Sequence, residues 1–119
     1  MACVLVVEDI EINRAVARLY LEDLGHCVRE ASGGREAICA FESPDIGFVI
    51  LDLCMPDMDG FAVVRHLRRR EAELGRPPAR IIALTAMPLE DVRVKCLDCG
   101  FDRLASKPVS RDDLVALLS

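Results

Sequence analysis

Short apolar runs rich in β-branched residues recur along the chain, and each is followed by a polar residue. The three clearest runs, with the polar residues after them, are 4–7 with Glu8 and Asp9, 48–51 with Asp52, and 81–84 with Thr85. Continuous apolar runs of this length are typical of strands buried on both faces of a parallel sheet. The pattern restricts the chain to an α/β fold, because helices must cover both faces of such a sheet.

Segments with helical periodicity separate the apolar runs. Ile12, Ala15, Val16 and Leu19 recur at helical spacing, and Gly25 is placed to end that helix. Further helices are predicted around residues 37–41, 61–74, 89–99 and 111–118, and two weaker strands around 27–30 and 104–105. Five strand-then-helix units with short connections predict a doubly wound parallel sheet with right-handed crossovers.

Length and composition indicate one domain, residues 1–119, of which 52% are hydrophobic. No apolar run approaches the roughly 20 residues that a membrane span requires, and the N-terminus lacks the cationic start of a secretory signal. We therefore expect a cytoplasmic domain without membrane insertion. A net charge of −5 argues against nucleic-acid binding, which needs clustered positive charge.

Six cysteines are spread along the chain, at positions 3, 27, 39, 54, 96 and 99. An apolar core this rich needs no covalent cross-links, so we expect reduced thiols. Cys96 and Cys99 form a CxxC pair, but no second pair follows at the spacing of a zinc site. Both lie on the apolar face of a predicted helix, which favours core packing over metal binding.

Polar residues that follow the strands of a parallel sheet converge at one edge, where ligands of doubly wound folds bind. Here they are Glu8, Asp9, Asp52, Thr85 and Lys107. Three clustered carboxylates repel one another unless a hard cation lies between them, and oxygen ligands with room for water suit Mg²⁺. The sequence thus predicts a magnesium site.

Phosphoryl transfer fits this set of groups. With Asp9 and Asp52 on the metal, one oxygen of Asp52 stays free to attack phosphorus and form an acyl phosphate. The Thr85 hydroxyl and the Lys107 ammonium would balance the negative charge on the transferred group.

Several short motifs, spread over the whole chain, together resemble the receiver domain of response regulators. They are the acid pair Glu8-Asp9, the acceptor Asp52, the loop Met55-Pro56-x-Met58-Asp59-Gly60, the pair Thr85-Ala86 and the triplet Ser106-Lys107-Pro108. Asn13 and the insertion before Arg80 look most like receivers of hybrid histidine kinases.

The resemblance implies a flavodoxin-like (βα)5 fold with strand order 2-1-3-4-5. It implies that Asp52 accepts a phosphoryl group from a histidine kinase or a histidine phosphotransfer domain, in two-component or phosphorelay signalling. Asp9 and the backbone carbonyl of Cys54 would join Asp52 on Mg²⁺, and Glu8 would act mostly through water. The Lys107-Pro108 peptide bond is expected to be cis.

Two positions depart from the family pattern. Ile10 stands where a polar residue often follows the acid pair, which leaves the metal ligands intact. Leu104 stands where the family usually has Tyr or Phe, which puts the usual switch between a threonine and an aromatic ring in doubt. The oligomeric state is left open.

Two other functions compete with a phosphoryl-accepting receiver. An aspartate-nucleophile phosphatase of the haloacid dehalogenase type needs a second Asp two residues after the nucleophile, but position 54 is Cys. A degenerate receiver that only binds partners would lack the acid pair, the acceptor or the lysine, whereas all are present. We therefore expect a domain that phosphorylates and dephosphorylates itself and does not turn over other substrates.

Overall fold

The computed structural model describes residues 2–119, which form a five-stranded parallel sheet between two layers of helices. The strands are β1 (Cys3–Val7), β2 (Cys27–Ala31), β3 (Ile46–Asp52), β4 (Arg80–Thr85) and β5 (Arg103–Ser106). The helices are α1 (Glu11–Asp23), α2 (Gly34–Ala40), α3 (Gly60–Leu74), α4 (Leu89–Cys99) and α5 (Arg111–Leu117). The sheet order is β2-β1-β3-β4-β5, which confirms the predicted flavodoxin-like topology.

Side chains alternate across the sheet and build one core on each face. On β1, Val4 and Val6 pack with buried residues of α1 and α5. Leu5 and Val7 point to the other face and pack with residues of α2, α3 and α4. Because both faces are covered, the central strands carry almost uninterrupted apolar sequence.

Helix α1 forms where its apolar spacing predicts it, but that apolar stripe lies on the outside. Ile12 is 68% exposed and Leu19 is 57% exposed, whereas Ala17 and Leu21 are the buried positions of this helix. The helix therefore has apolar residues on two faces, only one of which contributes to the core.

Two of the cysteines are not reduced, contrary to expectation. Cys3 and Cys27 form a disulfide, with their Cα atoms 4.6 Å apart. The parallel register of β1 and β2 sets these residues opposite each other, and sequence spacing alone does not reveal that register. The remaining cysteines are free: Cys39, Cys54, Cys96 and Cys99.

Loop and cap residues behave largely as their chemistry predicts. Gly75 ends α3 in the left-handed conformation, with φ of 66°. Ser110 and Asp113 form a reciprocal capping box at the start of α5. The Lys107-Pro108 bond is cis, as expected. Within residues 2–119, no helix has the length and apolar character needed to cross a membrane.

Candidate functional site

Asp52 ends β3 at the carboxyl edge of the sheet, and both of its carboxylate oxygens are engaged. The Cys54 backbone N–H donates to Oδ1 at 3.1 Å. The Lys107 ammonium donates to Oδ2 at 2.7 Å from the end of β5. Asp52 is buried, so these two contacts fix its orientation.

Glu8 follows β1 and lies on the other side of Lys107. The Lys107 Nζ atom is 2.9 Å from Glu8 Oε2, so one ammonium bridges the Glu8 and Asp52 carboxylates. The chain around Glu8 is held locally as well, since Arg14 donates to the Glu8 backbone carbonyl at 2.9 Å. Glu8 is buried, unlike the solvated acids typical of turns.

Burial and the neighbouring charged groups both shift the pKa values of Glu8 and Lys107. Burial raises the pKa of Glu8, and the nearby Asp52 carboxylate adds to this effect against the lowering by the Lys107 hydrogen bond. Burial alone would lower the pKa of Lys107, but its hydrogen bonds to Asp52 and Glu8 raise that pKa above its ordinary value. The ammonium is therefore held in its charged form.

Asp9 completes a cluster of three acids. One carboxylate oxygen from each of Glu8, Asp9 and Asp52 lies within 4.8 Å of the others. Asp9 Oδ1 is buried, and among residues 2–119 it is the one buried side-chain oxygen or nitrogen without a hydrogen-bond partner. An unpartnered buried carboxylate oxygen is costly in free energy, and a cation at this position would satisfy it.

Thr85 ends β4 between Asp52 and Lys107. Its backbone carbonyl accepts from the Lys107 backbone N–H at 2.9 Å, which anchors the end of β5 to the end of β4. Its hydroxyl oxygen accepts from the Met87 backbone N–H at 3.0 Å. The hydroxyl retains its own proton for donation to a ligand.

The five residues that sequence reasoning selected thus lie at one edge of the sheet, and Cys54 lies beside them. The Cys54 thiol is exposed, whereas its backbone faces the site through the hydrogen bond to Asp52. Leu104 lies on β5, partly buried against the α2–α3–α4 side of the core. Cys96 is buried in that same core, as predicted.

One contact near the site has no signature in the sequence. Asp59 caps its own helix by accepting from the Ala62 N–H at 2.8 Å. Asp57 accepts from the Met58 N–H in its own turn and also from the Gly34 and Arg35 backbone amides of α2. These hydrogen bonds lower the pKa of Asp57, the one from Gly34 having the largest effect.

Comparisons with known proteins agree with this geometry. The family model for the response regulator receiver domain matches residues 4–119. Over 115 residues the chain is 41% identical to the aerobic respiration control sensor protein ArcB of Escherichia coli; the match covers 97% of this chain and 14% of ArcB. It is 35% identical to hybrid signal transduction histidine kinase L of Dictyostelium discoideum, covering 97% of this chain and 7% of the kinase. The chain therefore spans only a small part of these relatives.

Two solved structures of similar fold contain a metal ion or a partner protein. The receiver domain of the sensor histidine kinase PA1611 of Pseudomonas aeruginosa has a magnesium ion in its active-site cleft; it is 31% identical, with a TM-score of 0.85 over 98% of this chain and 93% of that one. The Saccharomyces cerevisiae Ssk1 receiver domain was crystallised with the histidine phosphotransfer protein Ypd1. It is 27% identical, with a TM-score of 0.89 over 96% of this chain and 83% of that one.

Proposed function

Because the chain belongs to the family of response regulator receiver domains, we propose that it accepts a phosphoryl group from a phosphohistidine onto Asp52 in an Mg²⁺-dependent reaction. The observation that carries the proposal is the contact of 2.7 Å between the Lys107 ammonium and the buried Asp52 carboxylate, beside two further acids. A buried carboxylate with a cation held beside it is already oriented for nucleophilic attack on phosphorus, and the cation offsets the negative charge of the incoming group.

The acid cluster fits a magnesium ion. Asp9 and Asp52 would bind it directly, the Cys54 backbone carbonyl would add a third oxygen, and Glu8 would act through water. Support comes from the unpartnered Asp9 Oδ1 and from the all-oxygen donor set, which Mg²⁺ prefers. When bound, the ion supplies positive charge that offsets the acids and the incoming phosphoryl group.

The chain's own residues then perform the transfer. An oxygen of Asp52 forms the new bond to phosphorus, and the bond between phosphorus and the histidine nitrogen breaks, leaving its electron pair on the imidazole. Lys107 is already placed to neutralise the phosphoryl oxygens, and the Thr85 hydroxyl donates to another. The Cys54 N–H keeps Asp52 oriented during the attack.

Helix α1 offers a docking surface for the phosphohistidine donor. It begins directly after the acid pair, and Ile10, Ile12 and Leu19 leave large apolar side chains in solvent around it. A groove of about 440 Å³ between α1 and the segment after β5 runs past Val16 and Val109 to Lys107. A histidine phosphotransfer domain would cover this apolar surface and bring its histidine to Asp52. A protein of that class, Ypd1, was crystallised with the Ssk1 receiver domain.

We propose that residues 1–119 work as one receiver domain of a hybrid histidine kinase phosphorelay, on the cytoplasmic side where ATP supplies the phosphoryl group. This function needs no reaction other than phosphorylation of Asp52 and hydrolysis of the resulting acyl phosphate. A degenerate receiver remains the alternative, and the complete set of acids, hydroxyl and lysine weighs against it.

A small phosphodonor tests the assignment without any partner. With acetyl phosphate and Mg²⁺, the parent should gain one acid-stable, hydroxylamine-labile phosphoryl group, and Asp52→Asn should gain none while keeping its fold. Asp98→Asn, an exposed amide replacement on α4, is the matched control and should behave like the parent. Equal phosphoprotein yield from Asp52→Asn, or no Mg²⁺-dependent beryllofluoride binding by the parent, would refute the proposal.

A further inference from the structure

The loop between β3 and α3, residues 53–59, is attached to a helix that is distant in sequence. The Asp57 carboxylate accepts from the Gly34 N–H at 3.0 Å and from the Arg35 N–H at 3.1 Å. It also accepts from the Met58 N–H in its own loop at 2.9 Å. One exposed side chain therefore joins the loop to the first turn of α2.

This attachment replaces a cap that α2 lacks. The residue before α2 is Gly33, which has no side chain to accept the first free amides of the helix. Asp57 supplies the acceptor from 22 and 23 residues away. The contact is thus the hydrogen-bond partner that the start of α2 would otherwise need from water.

Two consecutive glycines make room for the contact. A Cβ atom on Gly33 would lie 2.9 Å from both Asp57 carboxylate oxygens. A Cβ atom on Gly34 would lie 2.8 Å from the Met58 Cβ and from a Val63 methyl group. The φ of Gly33 is −173°, an extended value open to any residue, so close approach and not backbone conformation favours glycine there.

Backbone hydrogen bonds hold the loop at its two ends. Leu53 N–H donates to the Leu84 carbonyl at 3.0 Å, and Gly60 N–H donates to the Leu53 carbonyl at 2.9 Å. Between these ends, Met55 and Met58 pack on the core, and Asp57 makes the hydrogen bonds to α2. Cys54 lies in this middle part, with its N–H on Asp52 and its carbonyl in the proposed magnesium site.

We infer that Asp57 is a positioning residue for the phosphoryl-acceptor site: by joining the β3–α3 loop to α2, it holds the Cys54 backbone where its N–H orients Asp52 and its carbonyl meets Mg²⁺. The inference rests on the proposed function. It assigns Asp57 no contact with the metal or the phosphoryl group. Partners that orient metal ligands typically change metal affinity by about 10- to 100-fold when they are removed.

Three variants and a control test the inference. Asp57→Ala removes the acceptor, Asp57→Asn keeps one acceptor oxygen, and Gly33→Ala keeps Asp57 but forces its carboxylate away from α2. Asp98→Ala, at an exposed position of α4, is the control. Mg²⁺ affinity is measured by calorimetric titration, and the initial rate of phosphorylation by acetyl phosphate is measured as a function of Mg²⁺ concentration.

We expect Asp57→Ala and Gly33→Ala to weaken Mg²⁺ binding about tenfold, at the lower end of that range because Cys54 is one ligand among several. The rate at saturating Mg²⁺ should recover toward that of the parent, and Asp57→Asn should lie between Asp57→Ala and the parent. A role confined to stability would lower the melting temperature and leave the Mg²⁺ affinity of the folded protein unchanged.

The same measurements distinguish failure of the inference about Asp57 from failure of the proposed function. If the parent takes up phosphoryl groups with Mg²⁺ and the folded Asp57→Ala and Gly33→Ala variants match its Mg²⁺ affinity, the inference about Asp57 is wrong and the proposed function stands. If the parent itself binds no Mg²⁺ and accepts no phosphoryl group, the proposed function is wrong and the inference falls with it.

Discussion

Arg68 of α3 donates to the Asp102 carboxylate at 2.8 Å and thereby joins α3 to the connection between α4 and β5. The same guanidinium donates to the Ala79 and Gly100 backbone carbonyls and pairs with the buried Glu71. Glu71 in turn accepts from the Ala79 N–H at 2.6 Å. This ion-pair network lies at the amino ends of β4 and β5, at the edge of the sheet opposite the acid cluster.

Arg68→Ala should destabilise the fold by about 3 kcal/mol, because it leaves the Glu71 carboxylate buried without its cation. That figure is at the lower end of the usual range since Arg68 is itself partly exposed. Phosphorylation by acetyl phosphate should persist below the melting temperature, because the network is remote from Asp52. Urea unfolding measures the loss; Arg69→Ala, an exposed neighbour, should stay within about 0.5 kcal/mol of the parent. Equal stability of the two variants would contradict this account.

Reduction of the Cys3–Cys27 bond should lower the free energy of unfolding by about 3 kcal/mol, the usual effect of opening a loop of this length. The bond joins the amino ends of β1 and β2, whereas Glu8 and Asp9 follow the carboxyl end of β1. The rate of phosphorylation should therefore be unchanged by dithiothreitol. Cys27→Ser should reproduce the reduced protein, and Cys39→Ser should have no effect. A large loss of phosphorylation on reduction would show that the two ends of β1 are coupled.

Removal of the Asp113 charge should make stability less dependent on pH in the acid range. Hydrogen bonds from the Ser110 backbone and side chain hold the pKa of Asp113 below its ordinary value of 3.8. A lowered pKa stabilises the folded state above 3.8, and this contribution disappears as pH falls through the folded-state value. Parent and Asp113→Asn should thus differ at pH 6 and converge in acid. Thermal unfolding of both proteins across this pH range measures the difference in stability. A difference that stays constant with pH would contradict the prediction.

Ile12→Glu should weaken phosphoryl transfer from a histidine phosphotransfer domain at least tenfold, because it places a charge in the proposed docking surface. Transfer from acetyl phosphate should be unchanged, since Ile12 lies outside the acid cluster. Val94→Glu alters an apolar residue of α4 that is 72% exposed, and serves as the control. Comparing both donors for each variant measures the effect. If Ile12→Glu and Val94→Glu lost transfer from the histidine phosphotransfer domain equally, the docking surface would not lie on α1.

Phosphorylation should remodel the surface of α4 and β5 only weakly, because Leu104 has no large ring to move between solvent and interior. Leu104 is already partly buried against the core. We expect amide chemical-shift changes on beryllofluoride binding to be large beside Asp52 and at residues 85–88, and small across most of 89–106. Changes across 89–106 as large as those beside Asp52 would contradict this prediction.

The sequence by itself determined the order of strands and helices and which polar residues meet at the candidate site. Apolar periodicity is a local property, so β1, β3 and β4 could be read directly from their runs. Parallel strands also bring their carboxyl ends together by geometry, so polar residues after those runs had to meet. That is why Asp9, Asp52 and Lys107 could be selected without coordinates.

Tertiary structure decided which face of a helix is buried, how neighbouring strands are aligned, and which residues distant in sequence come into contact. Helix α1 has apolar residues on two sides, and only packing on the sheet selects Ala17 and Leu21 for the core over Ile12 and Leu19. The disulfide depends on the register that sets Cys3 opposite Cys27. The contacts of Asp57 with α2 and of Arg68 with Asp102 join residues more than 20 positions apart. Such contacts follow from how the elements pack together, and local sequence preferences carry no information about them.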